Sequence, residues 1–171
     1  KKKKNPGTTP ETFPAPIIGN TFEGLVRLSP EGEVVPALAE AWEISEDGLT
    51  YTFTLRDANW SDGEPITASD FVYAWQRVLD PATGAMNSQM LYHIVGAEEA
   101  YGGADPEAIA ISAPDEKTLT FTLKQRVPYM LQLLNYPAFY PVREDIVSAD
   151  PDGWTRNPET LSEPAHSFFF F

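Results

Sequence analysis

Two ten-residue stretches of the chain follow a single pattern. Asp47-Gly48-Leu49-Thr50-Tyr51-Thr52-Phe53-Thr54-Leu55-Arg56 and Asp115-Glu116-Lys117-Thr118-Leu119-Thr120-Phe121-Thr122-Leu123-Lys124 each begin in a polar turn, alternate threonine with an apolar residue, and end in a cation. Successive side chains of a strand point to opposite faces. The alternation therefore puts Tyr51, Phe53 and Leu55, and likewise Leu119, Phe121 and Leu123, on a buried face with the threonines opposite. Two copies are too few for a repeat solenoid, so the stretches are read as members of one antiparallel sheet.

Helical signals lie around these strands. Ile17, Ile18 and Phe22 are spaced for a short helix over Ile17 to Glu23. Leu25 to Leu28 and Glu33 to Val35 flank the turn-forming Ser29-Pro30-Glu31-Gly32 and read as a hairpin. Thr67-Ala68-Ser69-Asp70 reads as a capping box ahead of an apolar stripe of Phe71, Trp75, Val78 and Leu79, which Asp80-Pro81 stops. A second helix is expected over Ala85 to Ala100, with Met86, Met90, Leu91, Ile94 and Val95 facing inward and Gly102-Gly103 as its stop. Pro128 suits the first position of a further helix carrying Tyr129, Leu131, Leu133 and Leu134, and Glu144 to Ala149 forms a last short one. Mixed elements of this kind give an α+β class, a mixed or antiparallel sheet with packed helices.

Charge and composition narrow the partners. The chain of 171 residues has 25 acidic against 12 basic side chains, a formal charge of −13. Four of the basic residues are Lys1 to Lys4, so the remainder sets 25 acidic against 8 basic. Such a field repels phosphate backbones and anionic lipid, which argues against a nucleic-acid partner. A 42% hydrophobic content supplies a core for one domain or a small pair. No stretch approaches the ~20 apolar residues of a membrane-spanning helix. Lys1 to Lys4 leads into Asn5-Pro6-Gly7 rather than an apolar core and is not a signal peptide. That run and Phe168 to Phe171 both read as foreign to a folded body.

Candidate chemistry is sparse. With no cysteine, thiolate nucleophiles, thiolate metal sites and disulfides are absent. His93 and His166 sit in no nucleophile or zinc spacing, no glycine-rich phosphate loop occurs, and the acidic residues are dispersed rather than grouped as metal ligands. No cofactor, metal or catalytic residue is expected, and the chain is not read as an enzyme. Asp62 and Glu64 would offer two carboxylates for glycoside chemistry. Trp60-Ser61-Asp62-Gly63 nevertheless has turn chemistry, with Asp62 expected to bond local amides. Tyr129, Tyr136, Phe139 and Tyr140 are either an aromatic ligand wall or core and rim; the density of aromatics favours the second.

The stretch Trp60-Ser61-Asp62-Gly63-Glu64-Pro65-Ile66-Thr67-Ala68-Ser69-Asp70-Phe71 resembles the signature region of the extracytoplasmic solute-binding proteins that serve peptide ABC importers. Phe22-Glu23-Gly24-Leu25, Pro36-Ala37-Leu38-Ala39-Glu40-Ala41-Trp42, Asp47 to Phe53, Trp75-Gln76-Arg77 and Val127-Pro128-Tyr129 follow in matching order, and the resemblance is greatest to the oligopeptide-binding branch. It implies a two-lobed periplasmic-binding-protein type II fold about three times this long, of which the chain holds the small domain and the start of the first lobe. The implied division is an extended segment over 1–16, the start of the first lobe over 17–35, a small α+β domain over 36–147, and a return segment with an atypical tail over 148–171. Further implications are a peptide ligand, ABC permease subunits as partners, a second lobe of the same protein absent here, and a periplasmic or extracellular location with possible lipid anchoring. By the family pattern, the extended segment holding Glu11, Thr12 and Phe13 approaches the peptide backbone in strand-like fashion. Asn87 stands where the family often has an aromatic contact, and Tyr136 where another side chain faces the ligand.

Overall fold

The two threonine-alternating stretches pair with each other. In the computed structural model, which describes residues 22–150, strand β4 (Thr50–Leu55) runs antiparallel to β6 (Thr118–Thr122). Thr50 lies opposite Thr122, Tyr51 opposite Phe121, Thr52 opposite Thr120 and Phe53 opposite Leu119. Strand β3 (Ala39–Ile44) and strand β5 (Ile111–Asp115) flank them, giving the order β3-β4-β6-β5 with every neighbour antiparallel. The expected α+β class with an antiparallel sheet is what forms.

The repeats also share turn chemistry. The Asp47 carboxylate accepts from the Leu49 amide at 3.0 Å, and the Asp115 carboxylate accepts from the Lys117 amide at 2.9 Å. Each aspartate closes its own turn two residues on, which fixes where the following strand begins.

Helix α1 (Ala68–Leu79) covers the apolar face, and its expected stripe of Phe71, Trp75, Val78 and Leu79 is buried. Phe121 is the centre of the packing. Tyr51 stacks on it at a centroid distance of 5.2 Å, Phe53 at 5.9 Å, and Trp75 meets it edge-on at 5.3 Å. Trp75 also meets Phe139 at 5.3 Å and donates its indole N–H to the Phe139 carbonyl at 3.0 Å, so the buried polar atom is satisfied. On the opposite face, hydroxyl contacts link Thr50 to Thr122 at 3.3 Å and Thr52 to Thr120 at 3.4 Å.

The hairpin forms as expected from β1 (Val26–Leu28) and β2 (Val34–Pro36), a two-stranded sheet separate from the first. Of the helix expected over Ile17 to Glu23, residues 17–21 lie outside the described residues, and Phe22 and Glu23 are buried irregular backbone. The two terminal runs that read as foreign, Lys1 to Lys4 and Phe168 to Phe171, also lie outside the described residues.

The expected helix from Ala85 to Ala100 is corrected. That stretch is a 3₁₀ turn over Ser88–His93 and a short helix α2 (Ala97–Tyr101). Ile94 bridges to Leu123, and the Val95 amide donates to the Thr122 carbonyl at 3.0 Å, so this backbone belongs to the sheet. Gly96 then turns the chain at φ +81°, a value that L side chains avoid. Leu91 and Ile94 are buried as expected, whereas Met86 is 58% exposed and Val95 also faces solvent. Helix α3 (Met130–Leu133) starts two residues after Pro128, with Tyr129 as its N-cap, and α4 occupies Glu144–Ala149 as expected.

The start of α1 is closed by the expected capping box. The Asp70 carboxylate accepts from the Thr67 amide at 2.9 Å and from the Trp60 indole at 3.4 Å. Burial pushes the Asp70 carboxyl up; the bonds from Thr67 and Trp60 and the charge of Arg143 oppose this but do not cancel it.

Three outcomes test this packing. Phe121→Ala should cost about 3–5 kcal/mol in a denaturant titration, because the cavity opens between three aromatic partners. Gly96→Ala should cost at least the ~1–2 kcal/mol of left-handed strain, since an added Cβ would also lie 2.5 Å from the Ala108 carbonyl oxygen. For Asp70 the folded value is raised, so its contribution to stability is fully present below the ordinary carboxyl value and is lost as pH rises through the raised value. Asp70→Asn should therefore be most destabilised relative to the parent in acid, with the deficit shrinking toward neutral pH when both are unfolded by urea across that range.

Candidate functional site

Two aromatics emerge at the surface next to α3, which runs from Met130 to Leu133 and sits close to the hairpin strand β1. Tyr129 is 53% exposed and Tyr136 is 38% exposed, while Phe139 and Tyr140 are buried in the core. The four-residue aromatic wall therefore divides, two residues to the core and two to the surface. Tyr129 meets His93 edge-on at 6.2 Å, so the 3₁₀ turn and α3 present an imidazole and a phenol side by side. Tyr136 precedes a 3₁₀ turn over Pro137–Phe139, and its backbone amide donates to the Leu133 carbonyl at 2.9 Å.

Asn87 is the N-cap of the 3₁₀ turn Ser88–His93 and is half-buried; its carbonyl accepts from the Met90 amide at 3.1 Å. It stands in the same stretch as exposed Met86, which leads into that turn. Glu11, Thr12 and Phe13 lie outside the described residues.

The carboxylate pair has a structural role at Asp62. One Asp62 oxygen accepts from the Glu64 amide at 3.2 Å, as expected for a turn aspartate, and the other accepts from Arg143. Partial burial pushes its carboxyl up, but the Arg143 hydrogen bond, the Glu64 amide and the guanidinium charge outweigh this and hold it below the usual range. A general acid for glycoside cleavage needs the opposite shift. Arg143 is a residue that sequence reasoning missed. It forms a fork to Asp145 and reaches Asp62 across 81 positions, tying the signature loop to the start of α4. The hydrogen bonds it donates to its neighbours, Asp145 foremost, push its guanidinium up further from an already high value despite partial burial. No local pattern marks the Arg143–Asp62 pair, because the two residues are distant in sequence.

Among the described residues no group of three or more histidine, aspartate or glutamate side chains could hold a metal ion, and no helix is long and apolar enough to cross a membrane.

Comparison with known proteins agrees with this architecture. A family model described as bacterial extracellular solute-binding proteins, family 5 Middle, matches residues 33–162. The chain is 39% identical over 164 residues to the dipeptide-binding protein DppE of Bacillus subtilis, a match taking in 89% of this chain and 30% of that protein. It is 40% identical over 161 residues to the probable deoxycholate-binding periplasmic protein YgiS of Escherichia coli, covering 92% of this chain and 30% of that one. The structure of Listeria monocytogenes OppA bound to peptide superposes with a TM-score of 0.84 at 32% identity, over 92% of this chain and 32% of that one. The chain thus spans about 30% of the length of the curated relatives it matches. With a family model extending over most of its length and an α+β fold shared with solved relatives, the chain belongs to the family 5 bacterial extracellular solute-binding proteins.

Proposed function

We propose that the protein carrying this chain is the binding component of an ABC importer that takes up peptides outside the cytoplasmic membrane and delivers them to the permease without transforming them. The observation that carries this reading is the similarity to proteins named for dipeptide and oligopeptide binding, one of them solved with peptide bound. Ligand contacts to two lobes would stabilise the closed state, so that recognition and closure are one equilibrium. In this reading residues 17–35 begin the first lobe and 36–147 form the small domain. The hairpin's separation from the four-stranded sheet supports that division. The segments 1–16 and 148–171 are the extended start and the return toward the second lobe, and a lipid anchor holds the full-length protein at the membrane.

Glu11, Thr12 and Phe13 are the proposed strand-like contact to the peptide backbone, which suits a ligand of varied sequence because main-chain bonds do not read side chains. Asn87 and Tyr136 are the proposed side-chain contacts. The exposure of Tyr136 beside α3 supports its assignment, since a ring left partly in solvent gains by being covered.

A second reading has a specific observation in its favour: with about 30% of the length of its relatives, the chain is a structural or protein-interaction module that binds nothing alone. Calorimetry separates the two. Mixed tri- to pentapeptides titrated into the 171-residue chain should give heat if it binds independently; heat only with the full-length protein supports the module reading. Tyr136→Ala in the full-length protein should weaken peptide binding by roughly tenfold. Heat with deoxycholate and none with peptides would overturn the peptide assignment, a ligand included because a similar relative is named for it.

A further inference from the structure

The cation that closes the first threonine-alternating strand does more than end it. Arg56 donates from Nε to the Ala37 carbonyl at 2.9 Å, from one terminal nitrogen to the Asp57 carbonyl at 3.3 Å, and from the other to the Glu23 carboxylate at 2.9 Å. Glu23 is only 8% exposed and, among the described residues, is the one buried charged side chain. The cation at the same position of the second repeat behaves differently. Lys124 pairs with exposed Glu98 at 3.2 Å and Glu99 at 3.4 Å.

The bonds around Arg56 lie where the hairpin meets the four-stranded sheet. The Leu38 amide donates to the Gly24 carbonyl at 3.1 Å and the Ala39 amide to the Leu25 carbonyl at 3.0 Å, while the Arg56 amide donates to the Leu38 carbonyl at 2.9 Å. Gly24 is pressed against the other wall of this joint. A Cβ there would lie 2.8 Å from the Tyr140 ring and 3.0 Å from the Leu134 carbonyl oxygen. Tyr140 in turn donates its hydroxyl to the Asn135 carbonyl at 3.0 Å.

We propose that Arg56 is a positioning residue whose fork, closed on buried Glu23, fixes the root of the β1–β2 hairpin to the end of β4. The hairpin belongs to the part of the chain proposed above to begin the first lobe, and only that reading of the joint rests on the proposed function. A charge pair with a buried member is weak support for stability in itself, because two apolar residues of similar volume often serve as well. What apolar residues do not reproduce is the three-way anchoring of two carbonyl oxygens and a carboxylate by one planar group.

Site-resolved hydrogen exchange on the 171-residue chain tests this without a ligand. The variants are Arg56→Met, Glu23→Gln and the double Glu23→Leu/Arg56→Met, in which no unpaired charge is left buried. In the double variant the amides of Leu38 and Ala39 should exchange about tenfold faster or more, while those of Val95 and Leu123, bonded at the far end of the sheet, keep the parent's rate. Glu23→Gln, which keeps an acceptor for the fork, should show a smaller change confined to the same two amides. If the Leu38 and Ala39 amides keep the parent's rate in the double variant, or all four amides accelerate together, Arg56 contributes at most to general stability and the proposal fails. Because no ligand enters, this failure is distinct from an absence of peptide heat.

Discussion

The register between β4 and β6 is the constraint from which the rest of the structure follows. Pairing Tyr51 with Phe121 places Phe121 beneath Tyr51 and Phe53 and leaves its edge to Trp75. A slip by one residue would exchange the aromatic and threonine faces along the whole strand and remove the surface on which α1 packs. The position of α1 then determines the exit of the signature loop, since Asp70 in its first turn holds both the Thr67 amide and the Trp60 indole. The two flanking strands inherit their place from the same pair, β3 from β4 and β5 from β6.

Charged side chains act on this core at its margins rather than inside it. Arg143 ties the signature loop to α4 through Asp62 and Asp145, and Arg56 ties the hairpin root to the sheet through Glu23. Both use the planar guanidinium as a fork, which holds geometry better than a single ammonium contact. The strongly acidic chain thus commits two of its few cations to joints between segments distant in sequence.

Much of the fold is legible in the sequence where local periodicity governs. Period-two threonines gave both central strands, the turn residues Ser29 to Gly32 gave the hairpin, and Thr67 with Asp70 gave the start of α1. The stretch after Ala85 is the exception, because its apolar spacing also suits a helix, while the sheet takes Ile94 and Val95 as partners and Gly96 turns the chain. Hydrophobic spacing carries no information about which backbone amides a neighbouring strand will claim. At the candidate site, the division of the four aromatics depends on tertiary packing, and the partners of Arg56 and Arg143 lie 33 and 81 positions away. The cation ending the first repeat was visible as a motif, but its buried partner was not. Family resemblance supplied what local physics could not, the proposal that Asn87 and Tyr136 face a ligand.

Because the chain contains no cysteine, a pair of introduced thiols reports the central register without interference. Thr52 and Thr120 face each other on the outer side of the sheet with their hydroxyls 3.4 Å apart. The measurement is the yield of intramolecular disulfide in Thr52→Cys/Thr120→Cys under mild oxidation, against Thr52→Cys/Thr122→Cys, whose positions face each other only after a two-residue slip. Prompt, high-yield closure of the first pair and little of the second is the predicted result; equal or reversed yields would contradict the register on which the core, the helix and both joints depend.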